Sequence, residues 1–542
     1  VVANPGGAPI EGTLSLTCGA MLPQGAPWTS SFFLGAGSAR VVQFYPLIEQ
    51  ELSFKLTWSG NDGARSEPFV LPEPKLAAPA TVLLTDARSI GSDGGHFATF
   101  PDEWFPPTIA ATDALGGLVL DHAPRWQPAQ RRALLDWVRR GGTLHRLRDA
   151  TGQDWRLGDE LAALDQQTPD FPCGSGSVHR HDCGRRDFTR GQGEAPEAAD
   201  APSQTEFQYG RRSMCSLVQT LASEVRPPHN WTLIYGILIG LLVVVGPLPW
   251  LIARRGVDAR WINLGMVAAI ALSTVALSTV GRRGHGERAS MVSLSYAHAL
   301  GDGVYDLSQW TNAFVTASDT YVIAHHGEDN LYAIPGTNDV DAQITSAGGG
   351  CLAARIPLFS SCSFMQRARM AGPAVTIGIG SSGGSPAGSA LAMPLDLIKP
   401  PPGALHHAFA ISGSQVIDLV IGSPSENGSL RLTPIEINRS VKNLLEQANS
   451  TTDYNGWVRY QDIDQALEAH WEALRAEVVT TFVNSRRPPG DAGVGLLSVF
   501  LVADQPPEFQ MPAAGLAQRG RVIYRIDVRC PERAAEQAKE EP

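Results

Sequence analysis

The chain has 542 residues, 18% of them charged, with a formal net charge of −11 and a pI near 5.7. An acidic chain of this kind offers no electrostatic footprint for nucleic acid, so no nucleic-acid partner is expected. Gly (55) and Pro (39) are abundant, which favours short strands and many turns, and the length implies several domains.

Residues 12–17, 31–34, 41–45 and 52–58 alternate apolar and polar side chains with β-branched and aromatic types. This is the period of antiparallel strands, and it predicts a β-sandwich-like domain over residues 1–76. The pattern changes in residues 77–168, where 80–86 and 116–121 are continuous apolar runs of the kind covered on both sheet faces. Between the second run and a further strand at 143–147 lies a helix with both ends signalled. Pro128 opens it, Leu134, Leu135 and Val138 share a face, Arg139 and Arg140 close it, and Gly141 and Gly142 follow. Together these predict an α/β unit with parallel strands. Asp86 and the pair Asp121–His122 fall at strand carboxyl ends, where such domains place ligands.

Residues 169–229 read as a linker returning to the membrane. Within it Cys173 and Cys183 bracket a Gly/Ser-rich loop, and further on Cys351 and Cys362 bracket another. Close pairs across loops suit local disulfides in an oxidising compartment. Cys173, His179, His181 and Cys183 also offer four metal ligands, but their spacing is not that of a known zinc module, and no metal is expected. Cys18, Cys215 and Cys530 read as small buried hydrophobes.

Residues 230–281 carry two apolar runs, 231–253 and 261–280, each without a charged side chain and each long enough to cross a hydrocarbon core of roughly 30 Å. The seven residues between them cannot recross a bilayer, so the expectation is a transmembrane hairpin with both large halves on one side. Trp231, Trp250 and Trp261 stand near the ends as interface anchors, and Arg254 and Arg255 in the turn favour a cytoplasmic turn. Arg282, Arg283 and Arg288 beyond the second run blur that assignment. Gly236 and Gly240 form a G-x-x-x-G pair that packs either within the hairpin or against another protein's helix. The chain opens on Val1 without an apolar leader, as a mature product with its signal peptide removed would, and as a shortened chain would.

Residues 282–542 are predicted to form a β-rich extracytoplasmic domain. It is interrupted by an amphipathic helix near 462–485, in which Ile463, Leu467, Trp471, Leu474, Val478 and Phe482 share a face, and it closes on strands at 494–502 and 520–528. Gly378, Gly380 and Gly383 spell G-x-G-x-x-G, and residues 380–384 match G-x-S-x-G. Both motifs need a helix next, and Gly384, Pro386 and Gly388 deny it, so a flexible loop is expected. The pairs His325–His326 and His406–His407 read as solvated loop residues rather than ligands. No Ser or Cys sits on a strand-to-helix elbow, so covalent catalysis lacks its nucleophile.

The order of parts resembles a family of bacterial envelope proteins of undefined function: a β domain, a class I glutamine-amidotransferase-like α/β domain, a transmembrane hairpin and a further β-rich region. The residues that carry the resemblance are 118–120 with 128–142, residues 246–255 running into the second apolar run, and the closing strands. The resemblance implies an amidotransferase fold without its catalytic cysteine, so no catalytic residue carries over. The helix near 462–485 departs from the pattern.

The expected fold class is therefore α/β plus β-sandwich-like domains with a two-helix transmembrane hairpin. The expected function is that of a non-catalytic scaffold or accessory subunit of a bacterial inner-membrane complex, with both large domains periplasmic. Its partners would be other membrane or periplasmic proteins and the lipid bilayer, and no cofactor is expected. A ligand-binding sensor, or a divergent enzyme using the α/β strand ends, is the alternative.

Overall fold

The computed structural model describes residues 1–18, 26–46, 54–60, 69–70, 80–86, 97–188, 221, 231–256, 258–281, 289–334, 340–345, 349–379, 394–412, 415–424, 428–435, 439–440, 496–512 and 515–529. The amphipathic segment near 462–485, Cys215, Cys530 and the glycine motif beyond Ile379 lie outside them. Among the described residues the chain is mixed α/β and mostly strand, in sheets of two, six, seven and twelve strands.

The six-stranded sheet contains the α/β unit expected over 77–168 and adds to it two strands from the start of the 169–229 stretch that reads as a linker in the sequence. Its strands run in the order Asp170–Cys173, Gly176–Arg180, Thr143–Arg146, Leu115–Leu120, Ala80–Thr85 and Ala98–Pro101. All neighbours are parallel except the edge pair at 170–180. The helix Pro128–Arg139 crosses one face and buries Ala133, Leu134, Trp137 and Val138 against Leu118, Leu120, Leu144 and Val178. Each fully buried side chain of this size stabilises by about 1.5–3 kcal/mol. Gln130 Oε1 accepts the Gln127 backbone N–H at 3.1 Å and so satisfies one unpaired donor of the first turn. The chain then turns away at Gly141, whose φ of +125° few side chains tolerate. A Cβ at Gly142 would stand 2.5 Å from the Trp137 ring.

The remaining strands build a β-sandwich from both ends of the chain. Strands Ile10–Cys18, Trp28–Leu34 and Phe54–Gly60 share the seven-stranded sheet with Asp319–Ile323, Asp341–Thr345 and Cys351–Ile356. The join is parallel, with Trp28 beside Ile344. Leu16, Trp28 and Phe54 of this sheet pack on Met291, Ala313 and Phe364 of the large one. In the large sheet, strands Ser290–Gly301 and Ala517–Arg529 run parallel at the centre, and Leu496–Asp504 pairs antiparallel with the latter. A second core gathers Leu307, Ala410, Leu432, Val499 and Tyr524. Residues 41–46 carry no ladder, so the strand expected at 41–45 is not formed. Gln43 there instead donates to the Trp104 carbonyl at 2.7 Å.

The α/β unit and the sandwich are locked together by buried charge. Arg140 at the end of the helix donates to Asp306 at 2.8 Å, and Arg367 donates to the same carboxylate at 2.8 and 3.1 Å. Arg140 and Arg367 both also bond Asp113. Arg369 meets Asp136 of the helix at 2.6 Å, and at the surface the exposed pair Arg132 and Glu328 meets at 2.5 Å. A second patch centres on Asp527, which accepts from Ser175 of the α/β unit and from Ser498, Arg525 and His298 of the sandwich. Two strong hydrogen-bonding partners per carboxylate offset the cost of burying it.

Three helices follow the α/β unit: Trp231–Val245, Pro247–Ala253 and Ala259–Gly281. Pro247 lacks the N–H that would continue the first, which breaks the helix at Gly246. The sequence led to two membrane-crossing helices; among the described residues one stretch has the required length and apolarity. Tyr235–Ile252 has a mean hydropathy of 2.1 and is wholly unburied, whereas the second apolar helix is described with its side chains only over Arg260–Ala276.

The expected disulfides are also corrected. Cys173, Cys183, Cys351 and Cys362 are free thiols. Cys173 and Cys183 lie beyond opposite ends of strand 176–180, which separates them by roughly 17 Å at strand rise. Cys351 and Cys362 belong to different sheets of the sandwich, and packed sheets stand about 10 Å apart.

Candidate functional site at the carboxyl end of the parallel sheet

Strand 115–120 is buried along its length and delivers Asp121 and His122 just past its carboxyl end. The short turn Asp102–Trp104 follows strand 98–101 at the same edge, and the loop after strand 176–180 brings in Arg185. His122 Nδ1 lies 2.9 Å from Asp121 Oδ1, and its Nε2 lies 3.4 Å from Asp102 Oδ2. Arg185 donates through Nε to Asp121 Oδ2 at 2.8 Å. Trp126 fixes the turn by donating to the Asp102 carbonyl at 2.7 Å.

The electrostatics follow from these contacts. Burial alone would depress the His122 pKa, but the hydrogen bond and charge of Asp121, helped by Asp102, outweigh it and raise it. Burial likewise disfavours the charged Asp121, yet His122 and Arg185 hold its carboxyl below the usual range. The His122 ring is thus clasped between two carboxylates, one of them also paired to a guanidinium. Both ring nitrogens and both Asp121 oxygens are engaged within the cluster. The arrangement can bind or exchange a proton, and it supplies no serine or cysteine nucleophile beside the imidazole.

A second group of histidines lies on the sheet face opposite the helix Pro128–Arg139. His145 and His179 are register partners on neighbouring strands, with ring centroids 5.3 Å apart. His145 Nδ1 and His181 Nε2 stand 3.1 Å apart, and His179 is held by Asp170 at 2.6 Å and Ser177 at 3.0 Å. Phe188 covers the group, 4.8 Å from the His181 ring and 5.6 Å from that of His145. The four-ligand set of Cys173, His179, His181 and Cys183 is not assembled, and among the described residues no three metal-ligating side chains converge.

Other sequence-derived candidates fall elsewhere. A Cβ at Gly236 or Gly240 would meet nothing within 4 Å, so neither glycine serves close packing inside the chain. Trp250 and Trp261 are exposed, and Arg254 stacks 3.7 Å over the Trp250 ring. Arg255 is exposed in the turn, and Trp231 opens the first apolar helix. His325, expected in solvent, is 7% exposed and contacts the Phe509 carbonyl at 3.3 Å. His406 pairs with Asp504 at 2.8 Å. Sequence reading located Asp121 and His122 but missed Asp102 and Arg185, which reach the cluster from separate loops with no motif to link them.

No family model matches the chain, and no curated protein matches its sequence.

Proposed function

We propose that the protein is a membrane-anchored, non-enzymatic envelope component of the bacterial cytoplasmic membrane, whose two halves form one periplasmic body serving as a scaffold or accessory subunit. The observation that carries this reading is the interlock of the two halves around the apolar helices. Residues before 231 and after 281 share a parallel strand pair, Trp28 beside Ile344, and the buried Arg140–Asp306 contact. Two halves joined in this way occupy the same side of any bilayer that Tyr235–Ile252 enters. The chain must then return, and the helix Ala259–Gly281 is the segment available to bring it back. Its 23 residues extend about 34 Å, with Arg260 snorkelling at the turn end. Arg254, Arg255 and Arg260 in and beside the turn favour its cytoplasmic placement.

Reporter fusions test the topology. Fusions after residue 188 and after residue 529 should report the periplasm, and one within 255–258 the cytoplasm; opposite sides for the two halves would refute the reading. Gentle detergent extraction with native mass analysis tests the accessory role, which a strictly monomeric particle without a co-purifying protein would sink. The Asp121–His122–Asp102 cluster supports a second reading, a ligand sensor at the strand ends. Loss of the cluster's proton exchange on adding an envelope extract would favour it.

A further inference from the structure

We propose that the turn 357–360 is a second membrane contact, with Leu358 and Phe359 inserted into the headgroup region of the bilayer that the apolar helices enter. This rests on the membrane reading above and adds to it the place where the sandwich meets lipid.

The turn joins strand Cys351–Ile356 to strand Ser360–Ala371 and is closed by the Ser360 N–H, which donates to the Pro357 carbonyl at 3.2 Å. Its two central residues are large and apolar, yet Leu358 is 55% and Phe359 47% exposed. Phe359 holds a φ of +52°, a left-handed conformation that Gly, Asn or Asp adopts readily and a bulky side chain does not. The turn at the opposite end of the large sheet shows the easier solution: it places Asp302, at φ +54°, between Gly301 and Gly303. Neither solubility nor backbone ease accounts for Leu358 and Phe359, so their use lies in a partner that receives apolar groups.

The strand register identifies that partner. Ser290 pairs with Phe314 and Phe314 with Ser361, so two strand spacings, roughly 10 Å, separate Ser290 from the base of the turn. Helix Ala259–Gly281 ends nine residues before Ser290, and nine residues reach at most roughly 32 Å. The sheet end that carries the turn is therefore the end the chain meets first on leaving the membrane. The ion pairs to the α/β unit gather toward the other end, at Asp306, Arg367 and Arg369. Charge agrees with this polarity: residues 307–318 and 356–366, which form the turn's half of the strand pair, contain no Lys, Arg, Asp or Glu. Arg355, Asp319 and Asp341 are exposed just behind the turn, on its own strand and its neighbours. A charge-free tip backed by charged residues inserts shallowly, at the level where aromatic rings favour the interface.

Vesicles of phosphatidylethanolamine and phosphatidylglycerol, doped with a lipid that carries a diazirine high on its acyl chain, test this on the full wild-type chain. After irradiation, peptide mass analysis should find lipid adducts on residues 357–360 and within Tyr235–Ile252. Residues 301–304, a strand length of roughly 40 Å away, should carry about tenfold fewer. The double substitution Leu358→Asp with Phe359→Asp should abolish the adducts on 357–360 and leave those on the helix. Adducts on the helix without any on 357–360 would overturn the insertion and leave the membrane reading standing, and this is also the result if a second copy or another protein covers the tip. Adducts on neither would remove both. Equal labelling of the two turns, or labelling of the tip that survives the double substitution, would overturn the insertion as well.

Discussion

Arg140, at the last turn of the helix in the α/β unit, donates a 2.8 Å hydrogen bond to Asp306 on the outer face of the large sheet. The carboxylate is 4% exposed and also accepts two bonds from Arg367. Burial would raise its pKa, but the two guanidinium groups bring it down to about 2. Replacing Asp306 with Ala leaves two buried guanidinium groups short of a partner, and should cost about 3–5 kcal/mol. Denaturant unfolding measures this, and a loss below about 1 kcal/mol would show that the lattice contributes little.

The same carboxylate fixes a pH dependence. A folded pKa depressed below the ordinary value of 3.8 gives stability that is present above that value and is lost as pH falls toward about 2. Asp306→Asn should flatten that acid limb relative to the wild type. Parallel limbs in the two proteins would assign the acid loss to other groups.

His122 behaves in the opposite sense. Its folded pKa lies above 6.5, so its contribution is complete below that value and disappears as pH rises through the folded pKa. The difference in melting temperature between the wild type and His122→Gln should therefore shrink from mildly acidic to alkaline pH. A difference that grows with pH would contradict the carboxylate clasp.

The cysteines give a chemical test. Intact mass after alkylation in denaturant should be the same with and without prior reductant for Cys173, Cys183, Cys351 and Cys362, because all four are thiols. A reductant-dependent gain on peptides containing Cys173 and Cys183 would restore the disulfide that the strand geometry excludes.

Leu242 is 72% exposed in the middle of Tyr235–Ile252. Leu242→Arg adds a cost of about 2.5–3.5 kcal/mol if this helix sits in hydrocarbon, and should move protein out of the membrane fraction. Unchanged fractionation and yield would argue that the helix lies elsewhere.

What was legible in the sequence was local. Strand 80–85, strand 115–120, the helix opened by Pro128 and the parallel return at 143–146 all carry their signals within a few residues. The strand pair 496–504 and 517–529 is likewise readable from its two apolar runs rich in β-branched residues. What was not legible depends on residues far apart. Nothing near Trp28 announces Ile344, and Arg140, Arg367 and Asp306 are ordinary surface-type residues until three elements converge on them. Cysteine spacing misled for a related reason: a strand between two cysteines holds them apart, however close they stand in sequence.

The parallel join of strand 28–34 to strand 341–345 also has a consequence for biosynthesis. More than three hundred residues separate the partners, and both apolar helices are made in between. The first strands therefore leave the ribosome with one backbone edge unfilled, and such an edge recruits foreign strands. That edge stays open until the second half has been synthesised and delivered to the same compartment. A chain stopped shortly after the helices would be an aggregation hazard, so its fate should depend on escort by chaperones or rapid proteolysis.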